Sequence, residues 1–417
     1  MSNDQPDHRL LLTGGSVSGG PVASLLVASG RVEALGADAD RRAAGTAATR
    51  VDLSGYVLLP GAVEPHAHLD KALLAERSPN VAGGLRGAID AAHAAYASMT
   101  AADVADRARR ALATAVRHGY TLIRTHVDCG EGVGVTGLMT LLELRDRVRP
   151  TIGLQVVAMA GFPVTGDGGA ANLQLLFEAL DAGADVVGGV PSLDADPAAA
   201  VSILVKTAAR RGLPIDLHLD ETLDPAALTV RDFAREVTEH GLAGRATASH
   251  CVSLGQLEAR EADQIATELA AAHVAVVMLP QTNLYLQGRE FSLRTPRGLT
   301  AVDALRRAGV VVCAGGDNWR DPFNPMSRID PLETASLAVV AAHLTPAEAY
   351  DAVSVDARRA LGMPPADFTV GAEADFLAVR AASLTEAIAD AGEDRVVIRA
   401  GRIVARSHVI MDVEPLI

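Results

Sequence analysis

The chain has 417 residues, of which 49% are hydrophobic and only 3% aromatic, so a large core must be built mainly from Ala, Val, Leu and Ile. Its 51 acidic residues outnumber 37 basic ones for a formal charge of −14, which repels phosphate backbones and anionic lipid and argues against nucleic acid or a membrane surface as partner. Three cysteines, Cys129, Cys251 and Cys313, are scattered with no CxxC pair, which argues against a disulfide framework or a thiolate zinc site and points to a reducing compartment.

The opening MSNDQPDHRL lacks a basic start followed by an apolar run, so no signal peptide is expected. No segment approaches ~18 uninterrupted apolar residues, so no membrane span is expected and the expected location is cytoplasmic. β-like runs cover 9–12, 24–28 and 31–35, and Ser29-Gly30 predicts a hairpin between the last two. An Ala-rich stretch over 38–50 reads as a linker. The middle then alternates. Strand-like runs at 57–63, 121–127, 153–160, 185–190, 214–219, 246–249, 274–279 and 310–314 are separated by stretches of helical period such as 101–118 and 197–211. Eight such units predict a closed (β/α)8 barrel of parallel strands over 57–368. Beyond it, 374–379 and 395–405 are again β-like, the latter broken at Ala400-Gly401. The termini, 1–56 and 369–417, are expected to build a small β-sandwich domain together.

Residues able to bind metal recur at the C-terminal ends of the barrel strands, the face on which barrel enzymes carry their sites. His66-Ala67-His68 ends strand one, and residues two apart on a strand share a face, so both imidazoles can reach one ion. His218 ends strand five, with Glu221 just beyond; His250 ends strand six; Asp317, after Gly315-Gly316, ends strand eight. Together they offer N/O ligands of the kind Zn²⁺ or Fe²⁺ accepts, with room for water. His126 and Asp128 share a face at the end of strand two and read as support or as competing ligands. His93 and His118 lie in helical stretches and are expected at the surface; His8, His240, His273, His343 and His408 have no partner in sequence.

This pattern of HxH, His, His and Asp on strands one, five, six and eight resembles the amidohydrolase superfamily. The runs LLPGAVEPHAHLD, IRTHVD, LQVVA, GADVVGG, ATASH and LQGR resemble its bacterial cytosine deaminase group. The resemblance implies that His66, His68, His218 and Asp317 bind one divalent metal, Zn²⁺ or Fe²⁺. It implies that Glu221 moves a proton to a ring nitrogen, that His250 orients the attacking oxygen, and that Gln155 meets the amide edge of the substrate. Strand four ends in Val190-Pro191, where binuclear relatives carry a bridging ligand, so one metal is expected. The zinc deaminases that use HxE with PCxxC are excluded by the missing cysteine pair.

Three positions depart from the cytosine deaminases. Asn318 and Gly316 replace an aspartate and a histidine around Asp317, and Phe323 replaces a tryptophan in the segment that starts at Trp319. Lys71, in HLDK, is shared instead with the isopropylammelide aminohydrolases. Lys71, Asn318 and Trp319 are taken with Gln155 as substrate contacts, and Gln287-Gly288-Arg289 as shaping the pocket or an oligomer contact. The expected activity is hydrolysis of a C–N bond, with deamination of cytosine or a related N-heterocycle first. Amine release from a triazine or opening of a cyclic amide in the same site comes second, and a barrel with a binding role alone is the remote third. The expected partners are a small N-heterocyclic substrate and further copies of the chain.

Overall fold

The computed structural model describes residues 9–17, 20, 22–410, 412 and 414. The first five strands are β1 (Leu10–Val17), β2 (Val22–Ala28), β3 (Arg31–Leu35), β4 (Thr49–Asp52) and β5 (Tyr56–Pro60). Barrel strands follow as β6 (Ala62–Ala67), β7 (Tyr120–Cys129), β8 (Gly153–Ala160), β9 (Val186–Gly189), β10 (Ile215–Leu219), β11 (Ala246–His250), β12 (Val274–Met278) and β13 (Val312–Ala314). The last three are β14 (Phe376–Arg380), β15 (Arg395–Arg399) and β16 (Arg402–Arg406).

The terminal strands make one mixed sheet of order β16-β15-β14-β5-β1-β2-β3, with β4 beside β1. One face buries Leu10, Leu12, Val27, Phe376 and Ile398 in a single cluster; the other buries Leu11, Leu26, Ala34 and Ala39. The odd–even split of Leu10, Leu11 and Leu12 is the period-two alternation of a strand covered on both sides. The expected hairpin forms at Ser29-Gly30, and the break at Ala400-Gly401 is a second one: all four residues have positive φ, the signature of two-residue turns whose twist matches the strands. The stretch over 38–50 is no linker. It holds a helix, Gly36–Ala43, and β4, because Ala39 finds a buried place beside Leu11 and Leu26.

The other sheet has the order β13-β12-β11-β10-β9-β8-β7-β6, and its pairs from β7 to β13 are all parallel. Strands such as β10, β11 and β12 are buried at every position, as expected for a parallel sheet covered on both faces. The expected first barrel strand over 57–63 is divided. Residues up to Pro60 pair with β14 in the terminal sheet, and the barrel strand begins at Ala62. Pro60-Gly61 punctuates two strands rather than lying inside one. By contacts, one unit comprises Met1–Ala62, Thr114–Thr121 and Pro364–Ile417, and the other Val63–Ala113 and Leu122–Met363. No helix among the described residues is long and apolar enough to cross a membrane. The three cysteines are free and buried, and burial pushes their thiols up, which makes them poor nucleophiles.

Candidate metal centre and active site

The first and last barrel strands meet where the histidines lie. The Asp317 amide donates to the His66 carbonyl at 3.0 Å, and Ala67 and Asp317 form an isolated parallel bridge. Glu64, fully buried on β6, accepts from the His66 amide at 3.1 Å and from the Gly316 amide at 3.0 and 2.9 Å. A Cβ on Gly315 would sit 2.4 Å from the Glu64 carboxylate, so the glycine pair is what lets that carboxylate cross the seam. Asp220, His250 and Asp317 follow or end strands with φ of 51, 70 and 58°. Non-glycine residues in this left-handed region store strain that a site can use to aim side chains.

Four donors converge. His66 Nε2 lies 3.0 Å from His218 Nε2, which lies 3.2 Å from His68 Nε2. Asp317 Oδ1 is 3.6 Å from His66 Nε2 and 3.3 Å from His68 Nε2. A tetrahedral ion with bonds of about 2.0–2.1 Å spaces its ligands by about 3.4 Å, so these separations fit one cation. The three imidazoles form a group able to hold a metal ion. Burial first, then the neighbouring imidazoles and, for His68, Lys71, push His66, His68 and His218 well below the ordinary histidine range. They therefore stay in the neutral form that ligates metal.

The tautomer of His66 is fixed from behind. Ser249 Oγ donates to Asp216 Oδ1 at 2.8 Å, so it accepts from His66 Nδ1 at 2.9 Å and leaves Nε2 as the free lone pair. Asp216 is pinned at 2.9 Å by Arg124, whose Nε also donates to Gln155 Oε1 at 3.0 Å. Burial favours the neutral Asp216 carboxyl, but His126 and Arg124 outweigh it and hold the group below its usual range. His126 stacks on His66 with centroids 3.9 Å apart and reaches Asp216 at 3.7 Å.

Beside the cluster, the Asn283 amide donates to Glu221 Oε1 at 3.3 Å and to His250 Nδ1 at 3.1 Å. An amide nitrogen can only donate, so in neutral His250 the proton is on Nε2, which lies 4.0 Å from Asp317 Oδ2. Burial pushes His250 down to about 4. Burial, then the Asp317 charge, raises Glu221 well above the carboxylate range. Burial also raises Asp317.

A cavity opens onto His68, His218, Glu221, His250, Asp317 and Lys71. The structure thus brings together every expected metal ligand with Glu221, His250, Lys71 and Asn318. Asn318 is committed at both ends of its amide, accepting from Thr282 at 3.1 Å and donating to Asp321 at 2.9 Å. Gln155 and Trp319 do not join the cavity lining. Gln155 faces Arg124 and Met363; on β8 it lies four residues, about 13 Å, before Met159, which does line the cavity. Trp319 is buried, and its carbonyl accepts from Leu73 at 2.9 Å. Gln287 donates to the Glu221 carbonyl at 3.2 Å. His93 is exposed but lines the cavity, stacked toward Phe162. His118, expected at the surface, is buried at the end of its helix, where Arg395 donates to its carbonyl at 2.7 Å. His8 lies outside the described residues.

Sequence reasoning missed Glu64, Asp216, Ser249 and Asn283. A signal existed for the first two: each acid stands two residues before a histidine on the same strand face, His66 and His218. Asn283 has none, since it sits on the short helix Pro280–Leu286 after β12 with no spacing to mark it.

The comparisons with known proteins agree with this geometry. A sequence profile of the amidohydrolase family matches residues 76–405. A pterin deaminase of Rhizobium rhizogenes is 35% identical over 407 residues, 95% of this chain and 90% of that protein. The structure of 5-methylcytosine deaminase from Klebsiella pneumoniae, liganded with 5-fluorocytosine, superposes with a TM-score of 0.87 at 27% identity, covering 97% of this chain and 100% of that one. N-isopropylammelide isopropylaminohydrolase from Burkholderia multivorans superposes with a TM-score of 0.83 at 29% identity, covering 96% and 98%. The chain belongs to the amidohydrolase family and is a hydrolase that acts on carbon–nitrogen bonds.

Proposed function

We propose that this chain deaminates a small aminated N-heterocycle, with a pterin-like ring as the first candidate, using one divalent ion, Zn²⁺ or Fe²⁺. The observation that carries the reading is the convergence of three imidazole nitrogens and the Asp317 carboxylate at 3.0–3.6 Å beside Glu221 and His250. The 35% identity to a pterin deaminase supports the choice of ring. The free, buried cysteines support a reducing, cytoplasmic location.

His66, His68, His218 and Asp317 would hold the ion, whose Lewis acidity makes water a nucleophile near neutral pH. Asp317 takes the proton that water loses. His250, with Nε2–H toward Asp317, donates to the oxygen that builds up at the attacked carbon. Glu221, kept protonated by burial, gives its proton to the adjacent ring nitrogen and recovers one as the amine leaves. The balance is C–NH₂ plus water to C=O plus ammonia. No second ligand set is needed, because Val190 and Pro191 after β9 offer no donor side chain.

The test is ammonia release from aminated pteridines, pyrimidines and triazines, using protein of measured metal content. Release from one class, falling by roughly 10³ or more in Asp317→Ala as both proton transfer and metal binding fail, supports the reading. Protein carrying about one metal per chain that releases no ammonia from any class overturns it. Alkylamine release from a triazine would favour the second activity, to which the 29% identity with the Burkholderia enzyme lends support.

A further inference from the structure

One polar group on the cavity wall is left over by the chemistry just described. Lys71 Nζ donates to Asp128 Oδ2 at 2.7 Å and to Asp70 Oδ2 at 3.2 Å. Tyr96 donates its hydroxyl to the same Asp128 oxygen at 2.7 Å. Asp70 is itself a clip: Oδ1 accepts from the Lys71 amide at 2.9 Å and Oδ2 from the Asp128 amide at 3.2 Å. Asp128 and Lys71 both line the cavity that contains Glu221 and Asp317.

The bonds leave two valences open. Asp128 Oδ2 takes two donors, whereas Oδ1 takes none from any described residue. A lysine ammonium carries three N–H donors, and two are engaged. Two carboxylates around one ammonium leave this wall net negative, which disfavours an anionic ligand and favours a neutral one that offers an N–H. The remaining acceptor and the remaining donor belong to two groups already bonded to each other, so they present an adjacent acceptor–donor pair.

We propose that Asp128 and Lys71 select substrate by reading a lactam edge, –NH–C(=O)–, of the heterocycle: Asp128 Oδ1 accepts from the ring N–H, and Lys71 Nζ donates to the neighbouring carbonyl. Tyr96 is a positioning residue that holds Asp128 in the receiving orientation. The assignment rests on the deaminase reading only for the identity of the ligand as a heterocycle.

A polar site built to pair with an N–H rejects the analogue that lacks it far more strongly than an apolar pocket rejects a methylene. The test is calorimetric binding to the metal-loaded full chain of pteridine-2,4-dione and uracil, each compared with its N1-methyl and N3-methyl derivatives, since both rings carry two lactam N–H groups. Wild type is expected to bind the parent of one ring class at least about 30-fold more tightly than one of its N-methyl forms. Asp128→Asn is expected to shrink that ratio to within about threefold while metal content stays at the wild-type level. A ratio unchanged in Asp128→Asn, no preference in wild type over either N-methyl form, or no binding of any form overturns the proposal. The wild-type comparison alone decides if the variant does not fold. Ammonia release without lactam preference keeps the deaminase reading and sinks this one; lactam preference without ammonia release does the reverse.

Discussion

Two walls of the same cavity treat charge in opposite ways. On one, Lys71 sits between Asp70 and Asp128 with Tyr96 closing the group. On the other, Glu221 and His250 share the Asn283 amide and face Asp317 with no lysine or arginine among the described residues bonded to any of the three. Both walls are buried, and burial alone raises a carboxyl. On the first, the Lys71 ammonium outweighs burial, so Asp128 falls below its usual range and Lys71 rises above its own. On the second nothing outweighs it, and Glu221 rises. The first wall fixes its protons and suits recognition. The second leaves them mobile and suits transfer.

The comparison breaks most readily at Glu221. Glu221→Gln should cost about 10²–10⁴ in kcat by removing a proton carrier, yet leave metal content and melting temperature at or above wild type, since it deletes a buried carboxyl without a cation. A large fall in melting temperature would mean that the second wall is structural after all. Lys71→Met is the converse. It strands two carboxylates and should destabilise by about 3–5 kcal/mol, read by chemical denaturation. A loss below about 1 kcal/mol would show that the first wall's charges are not mutually dependent.

A smaller effect separates both walls from the support behind them. Ser249→Ala removes the group that fixes the His66 tautomer and should weaken Zn²⁺ binding about 10- to 100-fold in chelator competition, with the fold unchanged by circular dichroism. The smallest concerns pH. Arg107 donates to the carbonyls of Asp70 and Ala72 and to Asp103, tying the first wall to its helix. Bonds from Arg77, then Arg107, outweigh burial and lower Asp103 to about 2. A depressed carboxyl contributes stability that is present above its unfolded value of about 4 and is lost as pH falls through 2. After solvent screening this is at most about 1 kcal/mol. Stability against pH should therefore fall less steeply between 4 and 2 in Asp103→Asn than in wild type; parallel curves would remove Asp103 from the account.

The barrel was legible because alternation of apolar runs with helical periods reports burial directly, and the helices over 101–118 and 197–211 match Ala101–His118 and Pro197–Arg211. The histidines were legible because HxH at a strand end carries its own geometry. The support was not. Ser249 and Asn283 act through partners far away in sequence, so no local spacing marks them. Gln155 misled for the same reason: a glutamine on a strand is polar wherever it sits, but only depth along β8 decides whether it meets solvent, Arg124 or substrate. The split of 57–63 between two sheets was hidden because both halves are equally apolar.

The seam between the ends of the barrel has a consequence for dynamics. Glu64, His66 and the Gly316 and Asp317 amides join residues about 250 positions apart, so closing this joint carries a larger loop-closure entropy than pairing two strands adjacent in sequence. A ligand set that takes His66 and His68 from one side and Asp317 from the other would rivet that joint. Hydrogen exchange at the Gly316 and Asp317 amides should then slow on metal binding more than exchange in β10 or β11, whose neighbours on both sides already hold them.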